Sequence, residues 1–277
     1  ASDIAAALQR CIAGALPVIV IGGRFIRLEV AATARKKGLA VTVLEAAPRL
    51  LGRVLPQLLS DWYAELHRSH GVDVQLGVQI GSIEQQDGLA SAVVLADGRH
   101  LPAGLVVVGI GVEANDTLAR AAGLECDRGI VVDACSRTSD PAIVAAGDNT
   151  ARRLADGSLL RLESVQNATE QAKSAAAWLL GQERPFTAVP WFWSDQYDKK
   201  LQMAGLSAGA DRHVLRGDAA SGSFSVYHLA AGRLVAVESV NASKDHLQAR
   251  KLIEAGVAPS DAQIADPGFD LASLLVP

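Results

Sequence analysis

Residues Val18 to Val30 read Val-Ile-Val-Ile-Gly-Gly-Arg-Phe-Ile-Arg-Leu-Glu-Val, four β-branched residues, a glycine pair, then apolar residues at helical spacing. A strand that turns on glycine straight into a helix opens a βαβ unit, so this stretch commits the chain to the α/β class with a parallel sheet. In a dinucleotide fingerprint the first glycine permits the tight turn. The second lets backbone approach a pyrophosphate, and the third lets helix and strand pack closely. Gly22 meets the first demand, while Arg24 and Arg27 stand at the other two positions. Arginine at the second position obstructs a pyrophosphate more readily than it serves one. At the third it is expected to push helix and strand apart or to snorkel to solvent. Leu28, Val30, Ala31 and Ala34 continue the helix to Gly38, a helix-ending glycine. Val41 to Leu44 then reads as a second strand, and Glu45 ends it where a carboxylate would meet an adenine ribose hydroxyl and repel a 2′-phosphate.

Three regions follow from the pattern, residues 1–110, 111–186 and 187–277. The first opens with a helix over Ile4 to Ala13. It continues after Glu45 with an amphipathic helix from Pro56 to His70, whose face is predicted as Leu58, Leu59, Trp62 and Leu66. Val72 to Val78 reads as strand, and Ser82 to Leu101 as an antiparallel hairpin turning at Gln86-Asp87-Gly88 and Ala96-Asp97-Gly98-Arg99. Leu105 to Ile110 is a buried strand ending in Gly109-Ile110-Gly111. The second region holds Gly129 to Asp133, a predicted strand over Ala142 to Ala146, Gly147-Asp148-Asn149 and a helix over Val165 to Leu180. It is too small for a doubly wound domain of its own. The third has predicted strands at Leu201 to Ala204, Phe224 to Leu229 and Leu234 to Ser239, and a helix over Ala242 to Ala255, a small α+β domain.

A net charge of -4 argues against nucleic acid as partner. Cys11, Cys126 and Cys135 form neither a Cys-x-x-Cys pair nor an even set, which excludes a redox dithiol and fits a reducing cytoplasm. No segment approaches the ~20 apolar residues of a membrane span, and the six histidines show no metal-ligand spacing, so each is expected to be solvated or internally satisfied.

Seven segments together resemble one family. They are Val-Ile-Gly-Gly-x-Phe-Ile-x-Leu-Glu-Val-Ala-Ala at 20–32, Val-Leu-Glu-Ala-Ala-Pro-Arg-Leu-Leu at 43–51, Val-Gly-Ile-Gly-Val at 108–112, Arg-Thr-Ser-Asp-Pro at 137–141, Ala-Ala-Gly-Asp at 145–148, Leu-Glu-Ser-Val-Gln-Asn-Ala at 162–168 and Trp-Phe-Trp-Ser-Asp-Gln-Tyr-Asp at 191–198. The chain resembles FAD-dependent, NADH-oxidising reductases that pass electrons to [2Fe-2S] ferredoxins or rubredoxins. The resemblance implies an α/β fold: a Rossmann-like NAD-binding domain over 1–110, the returning half of a split FAD-binding domain over 111–186, and a C-terminal α+β domain over 187–277. The family's first strand, glycine turn and helix, which carries the FAD pyrophosphate, has no counterpart in this sequence.

Position by position, the resemblance implies that Gly22, Gly23, Phe25, Ile26 and Glu29 line the nicotinamide nucleotide, with Glu45 on the adenine ribose and Gly109 and Gly111 near the nicotinamide half. It puts Asp148 at the FAD ribityl and phosphate region, Glu163 and Val165 near the isoalloxazine ring, and Trp193 beside the flavin on the side facing an iron–sulfur partner. No side chain need act as acid or base. From the residues alone, Asp148 reads equally as a cap or turn residue, Glu29 as a surface carboxylate or a buried site group, and Trp191 and Trp193 as one core and one exposed ring. The rival reading of the whole is a silent relic or binding module that holds neither cofactor.

Overall fold

The computed structural model describes residues 2–275. The chain divides into two compact units, the first of residues 1–111 with Ser194–Leu201, the second of residues 112–193 with 202–277.

In the first unit, α1 (Ser2–Gly14) precedes β1 (Val18–Ile21), α2 (Phe25–Lys36), β2 (Val41–Glu45), α3 (Gln57–Ser69) and β3 (Asp73–Leu76). Then come β4 (Ile80–Gln86), β5 (Leu89–Leu95), β6 (His100–Pro102) and β7 (Leu105–Val108). The four strands β3-β2-β1-β7 form a parallel sheet in that order, while β4-β5-β6 form a separate antiparallel one. The central strand β1, Val-Ile-Val-Ile, is apolar and buried along its whole length, as expected where both faces are covered, while the edge strand β3 carries Asp73 and Gln75. Val18, Val20 and Val43 are fully buried. The β4–β5 turn has positive φ at both Asp87 and Gly88, the geometry that an Asp-Gly pair accepts in a two-residue hairpin.

Helix α2 packs through Leu28, Ala31, Ala32 and Ala34, and Gly38 at φ +83 ends it. Burial of a leucine such as Leu28 contributes about 2 kcal/mol. Arg27 does not lever the helix away; its half-buried side chain folds over Gly109, where an added Cβ would stand 1.8 Å from Nε. The face of α3 differs from the predicted one. Leu59, Tyr63, Leu66 and His67 are buried, whereas Leu58 is 40% exposed, a rotation of the apolar stripe by one position.

The second unit contains α4 (Thr117–Ala121), β8 (Ile130–Val132), β9 (Thr150–Arg153), β10 (Leu159–Leu160) and α5 (Val165–Leu179). Strands β8 and β9 pair parallel and β9 and β10 antiparallel. The strand predicted over Ala142 to Ala146 is absent. That segment makes only an isolated bridge, Arg137 to Val144, and its polar groups are met by turns anchored on Thr138 and Asp140. The chain continues with β11 (Trp191–Gln196), β12 (Lys199–Gly205), β13 (Arg212–Asp218), β14 (Ser223–Ala230), β15 (Arg233–Val240), α6 (Ser243–Ala255) and α7 (Asp261–Ala265). Strands β11 to β15 form a sheet ordered β11-β12-β15-β14-β13, and the turn end of β11 and β12 is the part counted with the first unit. Strand β13, with arginine, histidine and aspartate among seven residues, lacks the apolar alternation that would have revealed it.

Candidate functional site

Three neighbouring parallel strands end together at Ile21, Glu45 and Val108, and the crevice beyond their carboxyl ends is where open α/β sheets bind ligands. The turn there requires glycine at position 22 and is tightly packed at position 23. At Gly22, φ is +105 and a Cβ would lie 2.7 Å from the Gly109 carbonyl oxygen; at Gly23 it would lie 2.5 Å from Leu50 Cδ2. Between these strand ends and the loop after β2 lies a cleft of about 730 Å³, within the usual size of a small-ligand site. Gly22, Gly23, Glu45 and Gly109 line it, with Arg24 exposed at its wall. Phe25, Ile26, Glu29 and Gly111 do not; Ile26 is 69% exposed on α2.

Glu45 is held rather than free to swing. Its Oε2 accepts from the Gly23 amide at 2.6 Å and its Oε1 from the Ala47 amide at 2.8 Å. The sequence reading missed the opposite wall, Ala46 to Arg49 and Leu51 to Val54. Arg49 shapes that wall by donating to the carbonyls of Leu55 and Gly52 and to Ser60 Oγ, at 2.7 to 2.9 Å. Both terminal nitrogens of the guanidinium are thus committed to groups of the protein itself. The Pro-Arg-Leu-Leu-Gly-Arg run after Glu45 was its one signal in the sequence.

A dinucleotide fits this lining in two respects: Gly22, which only a bare backbone can fill beside the tightly packed Gly23, and the fixed Glu45 carboxylate. Arg24 stands as the N-cap of α2 and makes no side-chain cap bond there.

Glu29 on α2 accepts from Ser194 Oγ at 2.6 Å, so it is a half-buried, internally paired group. Gln196 Nε2 donates to Ser194, His67 contacts Gln196, and Tyr197 contacts His67. Burial pushes the His67 pKa down to about 4, against the opposing effect of its bond to Gln196.

In the second unit, Asp148 lies in a turn, its carbonyl accepting from Arg161 Nε at 3.1 Å. It does not cap α5. That role belongs to Ser164, whose hydroxyl accepts from the Asn167 amide. Gln171 ties the loop to the helix, its Oε1 accepting from the Gly147 amide at 2.7 Å and from the Thr150 hydroxyl at 2.9 Å. Val165 is 65% exposed at the first position of α5, and exposed Glu163 pairs with Arg161 at 3.4 Å. Asp148 and the exposed start of α5 offer a carboxylate and helix amides, but among the described residues of this unit no strand, glycine turn and helix follow one another as β1 and α2 do. Trp191 and Trp193 are both half-buried and stack at 5.4 Å. The expected split into core and exposed rings fails because residues two apart on a strand share a face. No group of three or more metal-ligating side chains occurs among the described residues, the three cysteines are unpaired, and no described helix is long and apolar enough to cross a membrane.

Residues 3–172 match the pyridine nucleotide-disulphide oxidoreductase family and residues 191–275 the reductase C-terminal family. Rhodocoxin reductase of Rhodococcus erythropolis is 47% identical over 268 residues, 96% of this chain and 63% of that protein. Putidaredoxin reductase of Pseudomonas putida is 46% identical over 241 residues, 85% of this chain and 57% of that protein. Among solved structures, a ferredoxin reductase from Rhodopseudomonas palustris superposes with a TM-score of 0.91 at 44% identity, over 96% of this chain and 66% of that one. The covalent putidaredoxin reductase–putidaredoxin complex gives 0.89 at 41% identity, over 94% of this chain and 63% of that one. The chain thus spans somewhat under two thirds of the length of these relatives.

Proposed function

The chain belongs to the pyridine nucleotide-disulphide oxidoreductase family, and on that premise we propose that it serves electron transfer from NADH through FAD to a [2Fe-2S] ferredoxin or a rubredoxin. The observation that carries the reading is the crevice at Gly22, Gly23 and Glu45 on the carboxyl ends of three parallel strands. The names of the relatives, ferredoxin reductases and a reductase in covalent complex with its redoxin, support the acceptor class.

When bound, NADH supplies a hydride and FAD takes it up and releases single electrons. The chain's residues bind and orient. Gly22 and Gly23 admit the pyrophosphate to the backbone, past Arg24 exposed at the wall. Glu45, fixed by two amides, meets the adenine ribose and disfavours a 2′-phosphate. Glu29, Phe25, Ile26, Gly109 and Gly111 serve the nicotinamide half on this reading, Gly109 from the cleft and the other four from outside its lining. Asp148 holds the ribityl and phosphate region of FAD, Glu163 and the start of α5 at Val165 lie by its ring, and Trp193 shields that ring. On this reading residues 1–110 are the NAD domain, 111–186 the returning half of an FAD domain and 187–277 the C-terminal domain. The three unpaired thiols support a reducing cytoplasm.

Titrating the purified chain with NAD⁺ by calorimetry, and recording its flavin absorbance after loading with FAD, tests this. Saturable NAD⁺ binding with retained flavin supports the reading. Binding of neither overturns it in favour of a silent relic, the alternative that Arg24 and Arg27 suggest.

A further inference from the structure

Five side chains of the first unit are joined end to end, and each bond admits one direction. The Glu29 carboxylate can only accept, so Ser194 Oγ donates to it at 2.6 Å. With its proton committed, Ser194 Oγ accepts from Gln196 Nε2 at 3.1 Å. The other end of that amide, Oε1, must accept, and takes the Nε2 proton of His67 at 2.8 Å. Burial lowers the His67 pKa to about 4, so the imidazole is neutral. Its Nδ1 is therefore bare and accepts from the Tyr197 hydroxyl at 3.1 Å.

Ser194, Gln196 and His67 are buried, while Glu29 and Tyr197 are half-buried ends. The far end is braced: His70 stacks on the Tyr197 ring at 3.7 Å, and Lys36 Nζ donates to the Tyr197 carbonyl at 2.6 Å. Beside the near end, the Tyr63 hydroxyl is buried without a hydrogen-bond partner, and burial together with the charges of Asp195 and Glu29 raises its pKa. Dipoles aligned in one direction reinforce one another towards the terminal anion. The chain is no proton wire, because an amide that donates at nitrogen and accepts at oxygen hands on polarity and keeps its protons. An acceptor-only carboxylate held on α2, apart from Glu45, suits an N–H donor, and the carboxamide of nicotinamide offers one.

We propose that Ser194, Gln196, His67 and Tyr197 are positioning residues that fix the Glu29 carboxylate for the nicotinamide half of a bound dinucleotide. The proposal rests on the reading of residues 22–29 as a dinucleotide site.

Two measurements on the 277-residue chain decide it. Nitrogen-15 NMR of the imidazoles reports the His67 tautomer without any ligand. Protonated Nε2 and bare Nδ1, with the Nδ1 resonance displaced in Tyr197→Phe, are expected; the opposite tautomer overturns the chain. Calorimetry with NAD⁺ and with ADP-ribose, which lacks nicotinamide, reads the role. Ser194→Ala is expected to weaken NAD⁺ about tenfold and ADP-ribose less than about twofold, the loss of one hydrogen bond to a charged group. Equal losses for both ligands, or none, overturn the positioning role. Should Ser194→Ala fail to fold, Tyr197→Phe keeps the stack on His70 and is expected to weaken NAD⁺ alone by about twofold. If the parent chain binds neither ligand, the dinucleotide reading falls and the role with it, while the tautomer still tells whether the chain of bonds exists.

Discussion

The turn at Gly22 and the turn at Gly147 both place a positive-φ glycine before site residues, yet they build very different amounts of site. At Gly22 an added Cβ meets a carbonyl oxygen at 2.7 Å, and three strand ends and a loop enclose a cleft. At Gly147, φ is +95 but the nearest atom to an added Cβ is Ala168 Cβ at 3.9 Å, and the neighbouring Asp148 and Val165 are exposed. The first glycine is demanded by space and by backbone conformation, the second by conformation alone. A cleft is thus enclosed within the first unit, whereas in the second unit Asp148 and the start of α5 lie exposed at the surface.

Substitutions at the two glycines sharpen the contrast most. Gly22→Val combines a forbidden φ with a backbone clash and is expected to cost about 4 kcal/mol and to abolish NAD⁺ binding. Gly147→Ala carries the φ penalty only, about 1 kcal/mol. Thermal unfolding of both variants measures the difference, and equal costs would break the comparison.

Acid should act next most strongly. His67 has a pKa of about 4 in the folded chain against an ordinary 6.5. The unfolded chain therefore takes up the proton first, and the stability His67 contributes is complete above the ordinary value and is lost as pH falls towards the folded one. The loss reaches about 3 kcal/mol. His228 in the second unit is pushed down by burial and by His213, but its buried partner Glu238 is pushed up by burial, so that pair opposes itself and the acid loss is read at His67. Urea unfolding across this range should show the fall, and His67→Gln should flatten the first unit's share.

Smaller effects separate the ligand roles. Glu45→Gln weakens two charge-assisted amide bonds, and NAD⁺ affinity is expected to fall about tenfold. Arg27→Gly uncovers Gly109 and is expected to tighten NAD⁺ a few-fold, more than Arg24→Gly, since Arg24 already lies exposed at the wall. No gain in either variant would mean that the arginines are accommodated. Asp148→Asn should leave NAD⁺ affinity unchanged within about twofold and lower flavin retention.

Much of this was legible in the residues because it rests on local chemistry. The β1, α2 and β2 succession follows from an apolar run, a glycine pair and a 3.6-residue pattern, and Asp87-Gly88 announced its turn. Strand β13 was hidden because its own residues carry no apolar alternation, and it is held as a strand by antiparallel pairing with β14, the next strand in sequence. Segment 142–146 misled for the converse reason: it is apolar enough for a strand but has no neighbouring strand to pair with beyond one bridge. Arg49 could be read only as a charge near Glu45, since its three acceptors come from residues brought round by the loop and by α3.

The sequence by itself determined the α/β class, the glycine turn, the acidic residue after β2 and the family, because each depends on residue type at short spacing. Only the tertiary structure decided where Arg27 lies, what holds Glu45 and Arg49, and how Ser194, Gln196, His67 and Tyr197 converge on Glu29. Those contacts join residues as many as 165 positions apart, and their distances and directions are set by packing, which no local pattern records.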